Sequence, residues 1–245
     1  MWIIILLMLI VTFAGLYIGQ SAGFQLQTLD KNTLLNASLI TLALFTLLII
    51  LHNFGYFPQW IAAPFMMGVY SLAGGFFLGY AFRIYTLRVR SGKILFQYRS
   101  FWIDHAPNLL AVILILFGIY RTSILVETPV TGIRLTSGMS LICFGLFIWT
   151  LKAVPEFRVR GIFFLDTLIP WEYVVSWNWY SETILHIDYM LKQKAKGEEE
   201  LRITELSTYI PEEDKKNVER ILQERTDDFS ELRLKILSSD SDEKE

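Results

Sequence analysis

Histidine, cysteine and carboxylate side chains could support catalysis or ligand binding, and in this sequence they are sparse. The 3 histidines, His52, His105 and His186, lie far apart along the chain. The topology predicted below places His52 and His105 on opposite sides of a membrane, so they cannot ligate one haem iron within a single chain. Cys143 is the single cysteine, which excludes an intrachain disulfide and a thiolate metal cluster. We therefore expect no cofactor and no metal site.

The acidic residues that cluster do so in patterns typical of solvated surface. Glu198–Glu200 lie on a lysine-rich turn, and Glu212–Asp214 fall in the first turn of a predicted helix. The sequence contains no HExxH, GxSxG or glycine-rich phosphate loop. We therefore expect that the chain is not an enzyme.

Basic residues form the main candidate binding site. They concentrate next to apolar segments, at Arg83, Arg88, Arg90, Lys93 and Arg99, joined by Lys152, Arg158 and Arg160. Cations at a bilayer surface attract anionic lipid headgroups, each contributing on the order of 1 kcal/mol. The same residues also form the topology signal of a membrane protein, which requires no ligand. Both interpretations stay open from sequence.

Composition divides the chain into two parts. Of its 245 residues 53% are hydrophobic and 19% charged, with a net charge of -2 and a mean hydropathy of +0.41. These values exclude a disordered chain and a basic nucleic-acid binder. Residues 1–153 carry 9 Lys+Arg against 3 Asp+Glu, and residues 154–245 carry 13 against 21. We predict a transmembrane domain at 1–153, a soluble domain at 154–237 and a disordered acidic tail at 238–245.

Five segments are apolar enough to cross a bilayer, which takes about 20 apolar residues in a helix. No ionisable side chain lies near the middle of any of them, unlike the spans of transporters and proton relays. Small residues at Gly15-xxx-Gly19 and Gly75-xxx-Gly79 would allow close helix packing, within the chain or in a homo-oligomer. The predicted spans are about 1–19, 34–51, 60–82, 108–125 and 135–151.

The positions of basic residues in short loops predict the orientation, because Lys and Arg stay on the cytoplasmic side. If segment 83–104 is cytoplasmic, alternation also places Lys31 and Lys152 there and leaves Arg121 and Arg134 outside. We therefore expect a protein of the cytoplasmic (inner) membrane, with its N terminus outside and its C terminus in the cytoplasm.

The soluble part alternates apolar and polar residues with the period of β-strands. Pro211 and the three acids after it then indicate the start of a helix, with a break expected at Thr226–Asp228. Val218, Ile221, Leu222, Arg225 and Phe229 would form one stripe of that helix. Residues 192–199 read as a solvated turn. The predicted strands are 157–165, 167–171, 174–180, 183–189 and 200–206.

Several of these segments resemble a family of bacterial membrane-anchored proteins. The similarity rests on Arg160-Gly161-Ile162, on residues 168–172 (Leu-Ile-Pro-Trp-Glu), on residues 175–179 (Val-Ser-Trp-Asn-Trp) and on a strand with Leu185 and Ile187. The resemblance covers about 156–225 and implies a C-terminal pleckstrin-homology-like (PH-like) β-barrel with a helix, of unassigned function. It implies no catalytic residue.

A complete PH-like barrel has seven strands, whereas five are predicted here. Residues 85–90 and 94–98 alternate about the turn Ser91-Gly92-Lys93, so we predict a hairpin there that completes the domain. Trp171, Trp177 and Trp179 are candidates for partner binding, although core packing would also explain them.

Two functions remain open beside the enzyme that we do not expect. The first is a non-enzymatic membrane protein whose cytoplasmic PH-like domain binds a partner protein or anionic lipid, in a regulatory or assembly role. The acidic domain favours a protein partner, since anionic lipid would be repelled except at the basic edge. The second is a structural subunit of a larger membrane transport or electron-transfer complex. Expected partners are the lipid bilayer and a protein or second copy, but no nucleic acid.

Overall fold

The chain divides into two compact units. A computed structural model describes residues 2–21, 26, 31–124, 129–195 and 198–229. Unit 1 comprises Met1–Thr86 and Phe101–Leu151, and unit 2 comprises Leu87–Ser100 and Lys152–Glu245. Unit 2 is therefore assembled from two separate stretches of chain. The division predicted after residue 153 leaves out the first stretch, but the prediction that residues 85–98 complete the soluble domain agrees with it in part.

The described residues form six α-helices, and five of them are long and apolar enough to cross a membrane. The number of long apolar helices agrees with the prediction, but the third is longer than expected. Its apolar window was predicted to end at residue 82, and the helix continues through two further turns that carry Arg83, Arg88 and Arg90. The five helices are α1 (Trp2–Gln20), α2 (Lys31–Asn53), α3 (Gln59–Arg90), α4 (Phe101–Thr122) and α5 (Gly132–Thr150).

The two small-residue motifs of the sequence pack against each other within unit 1. A Cβ added to Gly15 would lie 2.3 Å from the Leu72 carbonyl oxygen, and one added to Gly79 would lie 2.2 Å from the Leu16 carbonyl oxygen. The backbones of α1 and α3 therefore touch at these glycines, which leaves no room for a side chain. The motifs are accounted for by contacts inside the chain.

We expect opposite effects from two alanine substitutions in α3. Gly79→Ala should destabilise the full chain by about 1–2 kcal/mol, because the added methyl group overlaps the backbone of α1. Gly68→Ala should stabilise it by up to about 1 kcal/mol, because nothing lies within 4 Å of its Cβ position and alanine favours helix. Thermal unfolding in mild detergent, followed by circular dichroism, measures both. Equal effects would contradict the close packing of α1 on α3.

Aromatic rings and small residues hold the other helices of unit 1 together. Tyr80 of α3 is 1% exposed and stacks on Phe147 of α5 with ring centroids 5.1 Å apart. Between α4 and α5, a Cβ on Gly118 would lie 2.8 Å from the Gly138 carbonyl oxygen. By contrast, α2 has no buried residue in the window from Asn32 that could span a membrane.

The described residues of unit 2 form seven strands in two antiparallel sheets. The first sheet has the order β1-β2-β3-β4, and the second has the order β5-β6-β7. Helix α6 (Glu212–Asp228) follows the last strand. The strands are β1 (Ile94–Gln97), β2 (Lys152–Arg158), β3 (Gly161–Leu165), β4 (Thr167–Pro170), β5 (Val174–Trp179), β6 (Ile184–Ala195) and β7 (Glu198–Tyr209).

The structure corrects four predictions about these elements. The predicted strand 157–165 is two strands, because the chain turns at Val159–Arg160 and Gly161 starts β3. Most of the turn predicted at 192–199 belongs to strands β6 and β7, which pair with each other as far as Ala195 and Glu198. Residues 85–90 are helical rather than extended. Helix α6 also continues through the break predicted at Thr226–Asp228. The predicted tail at 238–245 lies outside the described residues.

The core of unit 2 joins both sheets and α6. The stripe predicted on α6 is confirmed at Val218, Ile221 and Leu222, which are buried against core residues of both sheets, and Phe229 packs at its edge. Tyr189 is buried in the same core, and burial raises the pKa of its phenol, since an apolar environment disfavours phenolate. The helix therefore closes the sheets through one apolar face, as its spacing indicated.

Candidate functional site

A buried charge cluster of Arg88, Glu156 and Arg158 lies in unit 2. Glu156 is fully buried, and both carboxylate oxygens accept hydrogen bonds from guanidinium groups. Arg158 donates from Nε at 2.8 Å and from Nη2 at 2.6 Å to Oε2. Arg88 donates from Nε at 3.2 Å to Oε2 and from Nη2 to Oε1. The cluster carries a net positive charge, and each charge has a partner, as burial requires.

The elements that carry the cluster explain why these three residues meet. Glu156 and Arg158 are two residues apart on β2, so their side chains lie on the same face of the strand. Arg88 belongs to the final turn of α3, and its guanidinium carbon also lies 6.0 Å from the ring centre of Phe163. Two of the eight candidate cations are therefore engaged inside the fold and are not exposed ligand-binding groups.

Arg158 also ends helix α3. Its Nη1 donates to the carbonyl oxygens of Arg88 at 3.0 Å and of Gly92 at 2.8 Å. Gly92 has a φ of +83°, the left-handed conformation that glycine adopts after a helix C terminus. The turn Ser91-Gly92-Lys93 is thus a helix cap rather than the predicted hairpin turn. A glycine at this position is typical both of a helix C-terminal cap and of a hairpin turn, which explains why the sequence predicted a hairpin.

Three further cations lie together at one end of the first sheet. The chain before β1 and the turn between β2 and β3 meet there, with Val159 N donating to Lys93 O at 3.1 Å and Arg160 N to Ser91 O at 3.2 Å. We call Arg90, Lys93, Val159 and Arg160 the basic tip. All four side chains are exposed, and none of the three cations forms an ion pair within the described residues.

The structure places the remaining basic candidates elsewhere. In the first sheet Gln97 pairs with Glu156, so Arg99 and Lys152 lie towards the end opposite the basic tip. Arg99 is exposed and Lys152 is half-buried. Arg83 belongs to unit 1, where its Nη1 donates to the Ser21 carbonyl oxygen at 2.9 Å. The eight residues predicted as one surface are therefore not brought together.

The three candidate tryptophans belong to the core or its margin. Trp171 is 1% exposed, and its Nε1 donates to the Arg158 carbonyl oxygen at 3.0 Å. Trp177 and Trp179 are half-buried and pack against the same core. Lys215 Nζ lies 4.6 Å from the ring centre of Trp179. Core packing accounts for these side chains in the structure.

We expect Trp171→Phe to destabilise unit 2 by about 2 kcal/mol. The substitution removes the hydrogen bond to Arg158 O and leaves part of the indole volume empty. Hydrogen exchange of β2 and β3 amides in the full chain measures the change in unfolding free energy. A variant of unchanged stability that loses a bound partner would instead indicate a recognition role for Trp171.

The exposed face of the second sheet carries small polar networks. His186 forms an ion pair with Glu205 when protonated, and its ring stacks on Tyr180 with centroids 4.9 Å apart. Ser176 Oγ donates to Asp188 Oδ2 at 2.6 Å. In the described part of the chain, no three His, Cys, Asp or Glu side chains converge to hold a metal ion. These pairs explain His186 as a surface residue with local partners.

Sequence reasoning missed Glu156 and Val159. Glu156 lies within the run Val-Pro-Glu-Phe-Arg, where its alternation with Phe157 places it opposite the apolar face. An acid two residues before an arginine on a short strand was the available signal for a paired charge. The sequence pattern predicted Val159 in the middle of one long strand. Recognition of the turn before Gly161 would have placed Val159 at a turn, where its side chain faces solvent.

Together these features define a class of protein: five long apolar helices combined with a C-terminal antiparallel β-sheet domain closed by a helix. Residues 153–226, from β2 to α6, match a family described as a domain of unknown function (DUF5673). No curated protein and no solved structure matches the chain. The matched range agrees with the predicted uncharacterised C-terminal domain, and it leaves out β1.

Proposed function

We propose that this chain is a non-enzymatic integral membrane protein whose unit 2 is a cytoplasmic PH-like domain. The domain binds an acidic partner, either a protein or an anionic lipid, in a regulatory or assembly role. The basic tip is the observation that carries this proposal. Its three exposed cations stay available for binding after Arg88 and Arg158 are assigned to the buried charge cluster.

The strand arrangement of unit 2 supports the PH-like assignment. Five strands predicted from sequence fell short of the seven that the resemblance implies. Division of the first predicted strand and addition of β1 bring the number in the described residues to seven, in sheets of four and three, with α6 after the last. The missing strands thus arise from the turn at Val159–Arg160 and from the segment before α4.

The apolar helices support the proposed placement in the inner membrane, with the N terminus outside. Each of the five contains an apolar window with at most two charged residues. The basic residues between α3 and α4 then lie in the cytoplasm by the positive-inside rule. Lipid-facing surface also explains why the apolar window of α2 has no buried residue.

Purification of the tagged full chain in gentle detergent, followed by mass spectrometry of bound proteins and lipids, tests this function. We expect a stoichiometric protein or retained anionic lipid, and we expect its loss from a Gly161→Ala variant, which destabilises unit 2 while leaving the sequence of unit 1 unchanged. Recovery of the chain with neither kind of partner would contradict the proposal.

A structural subunit of a larger transport or electron-transfer complex is the second candidate. The described residues of α2 include none that are buried, so this helix is free to pack on another membrane protein. The same purification distinguishes the two functions. A membrane protein that stays bound to the Gly161→Ala variant would favour the subunit, because its contact would not depend on unit 2.

A further inference from the structure

We propose that the basic tip docks unit 2 on an anionic lipid surface, with the side chain of Val159 entering the headgroup region beside Lys93 and Arg160. This inference rests on the proposed function and selects a lipid surface over an acidic protein as the ligand. It also selects one end of the first sheet as the contact.

Charge at this end of unit 2 is the first argument. Unit 2 is acidic as a whole, so only a locally positive surface can approach anionic lipid. Arg90, Lys93 and Arg160 supply three exposed cations. The acid Glu172, two residues after the β4 residue that pairs with Gly161, is half-buried. The basic tip therefore gives a locally positive surface to a unit whose net charge is negative.

An exposed aliphatic side chain distinguishes a lipid surface from a soluble anion. Val159 is 40% exposed at the apex of the β2–β3 turn, directly before Arg160, and Ile94, directly after Lys93, is 44% exposed. A phosphate ion or an acidic peptide needs no aliphatic group at its binding site. A bilayer interface accommodates both kinds of side chain, since headgroups pair with cations while the acyl boundary takes up apolar groups.

The backbone of the basic tip is held in place from inside the unit. Arg158 donates to Gly92 O at 2.8 Å, and Val159 N and Arg160 N donate to the preceding turn. These bonds fix both turns before any ligand arrives, so docking requires little further ordering of the chain. The buried charge cluster thus positions the basic tip and does not contact the lipid.

Fluorescence of a labelled full chain tests the docking. A polarity-sensitive dye is placed at Val159→Cys in a Cys143→Ala background, and the protein is reconstituted in phosphatidylcholine vesicles with or without phosphatidylglycerol. We expect a blue shift only with phosphatidylglycerol, reversed by high salt. Lys93→Glu with Arg160→Glu should lower the ratio of docked to undocked protein by at least about 25-fold, because the loss of the two cations alone removes about fivefold each.

Lys216→Glu with Arg220→Glu is the matched control, because it changes the net charge equally at two exposed side chains of α6. We expect this pair to keep the blue shift. An equal shift in pure phosphatidylcholine, a shift produced by inorganic phosphate alone, or indifference to Lys93→Glu with Arg160→Glu would overturn the inference. Lys93→Gln with Arg160→Gln, which only neutralises two exposed side chains, repeats the test if the charge reversal unfolds unit 2. A protein partner retained by the charge-reversed chain would leave the proposed function standing.

Discussion

Glu156→Gln should destabilise unit 2 by about 3–5 kcal/mol, because it leaves two buried or half-buried guanidinium groups without a counter-charge. The glutamine amide has one oxygen to accept hydrogen bonds, whereas the carboxylate accepts from both Arg88 and Arg158. Hydrogen exchange of β2 and β3 amides, measured on the full chain in mild detergent, gives the change in unfolding free energy for unit 2.

Glu205→Gln is the matched control for this substitution. Glu205 also pairs with a neighbouring side chain, His186, but its own side chain is 51% exposed, so we expect a loss of less than about 1 kcal/mol. Arg88→Met should fall between the two, because Glu156 keeps its bonds to Arg158. Equal stability of Glu156→Gln and the wild type would contradict the burial of the charge cluster.

Gly161→Ala should destabilise unit 2 by about 3 kcal/mol or more, through backbone overlap. Gly161 has a φ of +157°, and a Cβ built there would lie 2.1 Å from the Ile169 carbonyl oxygen. That carbonyl belongs to β4, which pairs with β3, so the methyl group would force the two strands apart. Chemical denaturation of the full chain, followed by tryptophan fluorescence, detects the loss of the Trp171 environment.

Gly92→Ala is the control that measures conformational strain without backbone overlap. Gly92 has a φ of +83°, but the closest atom to its Cβ position, Val159 Cβ, is 3.4 Å away. We therefore expect the cost of a left-handed alanine only, about 1–2 kcal/mol. If both variants lose the same stability, the contact between Gly161 and β4 is not as tight as the structure has it.

The apolar helices could be predicted from sequence because a membrane span has a single strong requirement, a long window without charge. The C-terminal end of α3 could not be predicted in this way, since the apolar window ends at the first arginine whereas the helix does not. Arg83 to Arg90 are compatible with helix, and the helix ends only where Gly92 adopts a positive φ and Arg158 caps it. That cap comes from a residue far along the chain, so local patterns could not reveal it.

The sequence predicted correctly that unit 2 is built of β-strands, but it predicted too few of them. The sequence pattern identified β4 and β5 almost to the residue, and in β5 half-buried residues alternate with exposed ones after Val174. It merged β2 and β3, since Val159 continues the apolar pattern through the turn. For the candidate site, the sequence indicated a set of basic residues that could bind an anionic ligand. Only the fold distinguishes Arg88 and Arg158, which pair with the buried Glu156, from the exposed cations of the basic tip.

The two-part origin of unit 2 has a consequence for the order of folding. Strand β1 is synthesised before α4 and α5, yet Ile94 pairs with Arg158, so the first sheet cannot form until the whole inserted segment has been made. Closing a flexible loop of that length would be slow and entropically unfavourable. Because α4 and α5 pack closely on each other, their helical hairpin shortens the effective loop. A fragment that begins at residue 152 would lack β1 and Arg88, and it would expose the edge of β2 to aggregation.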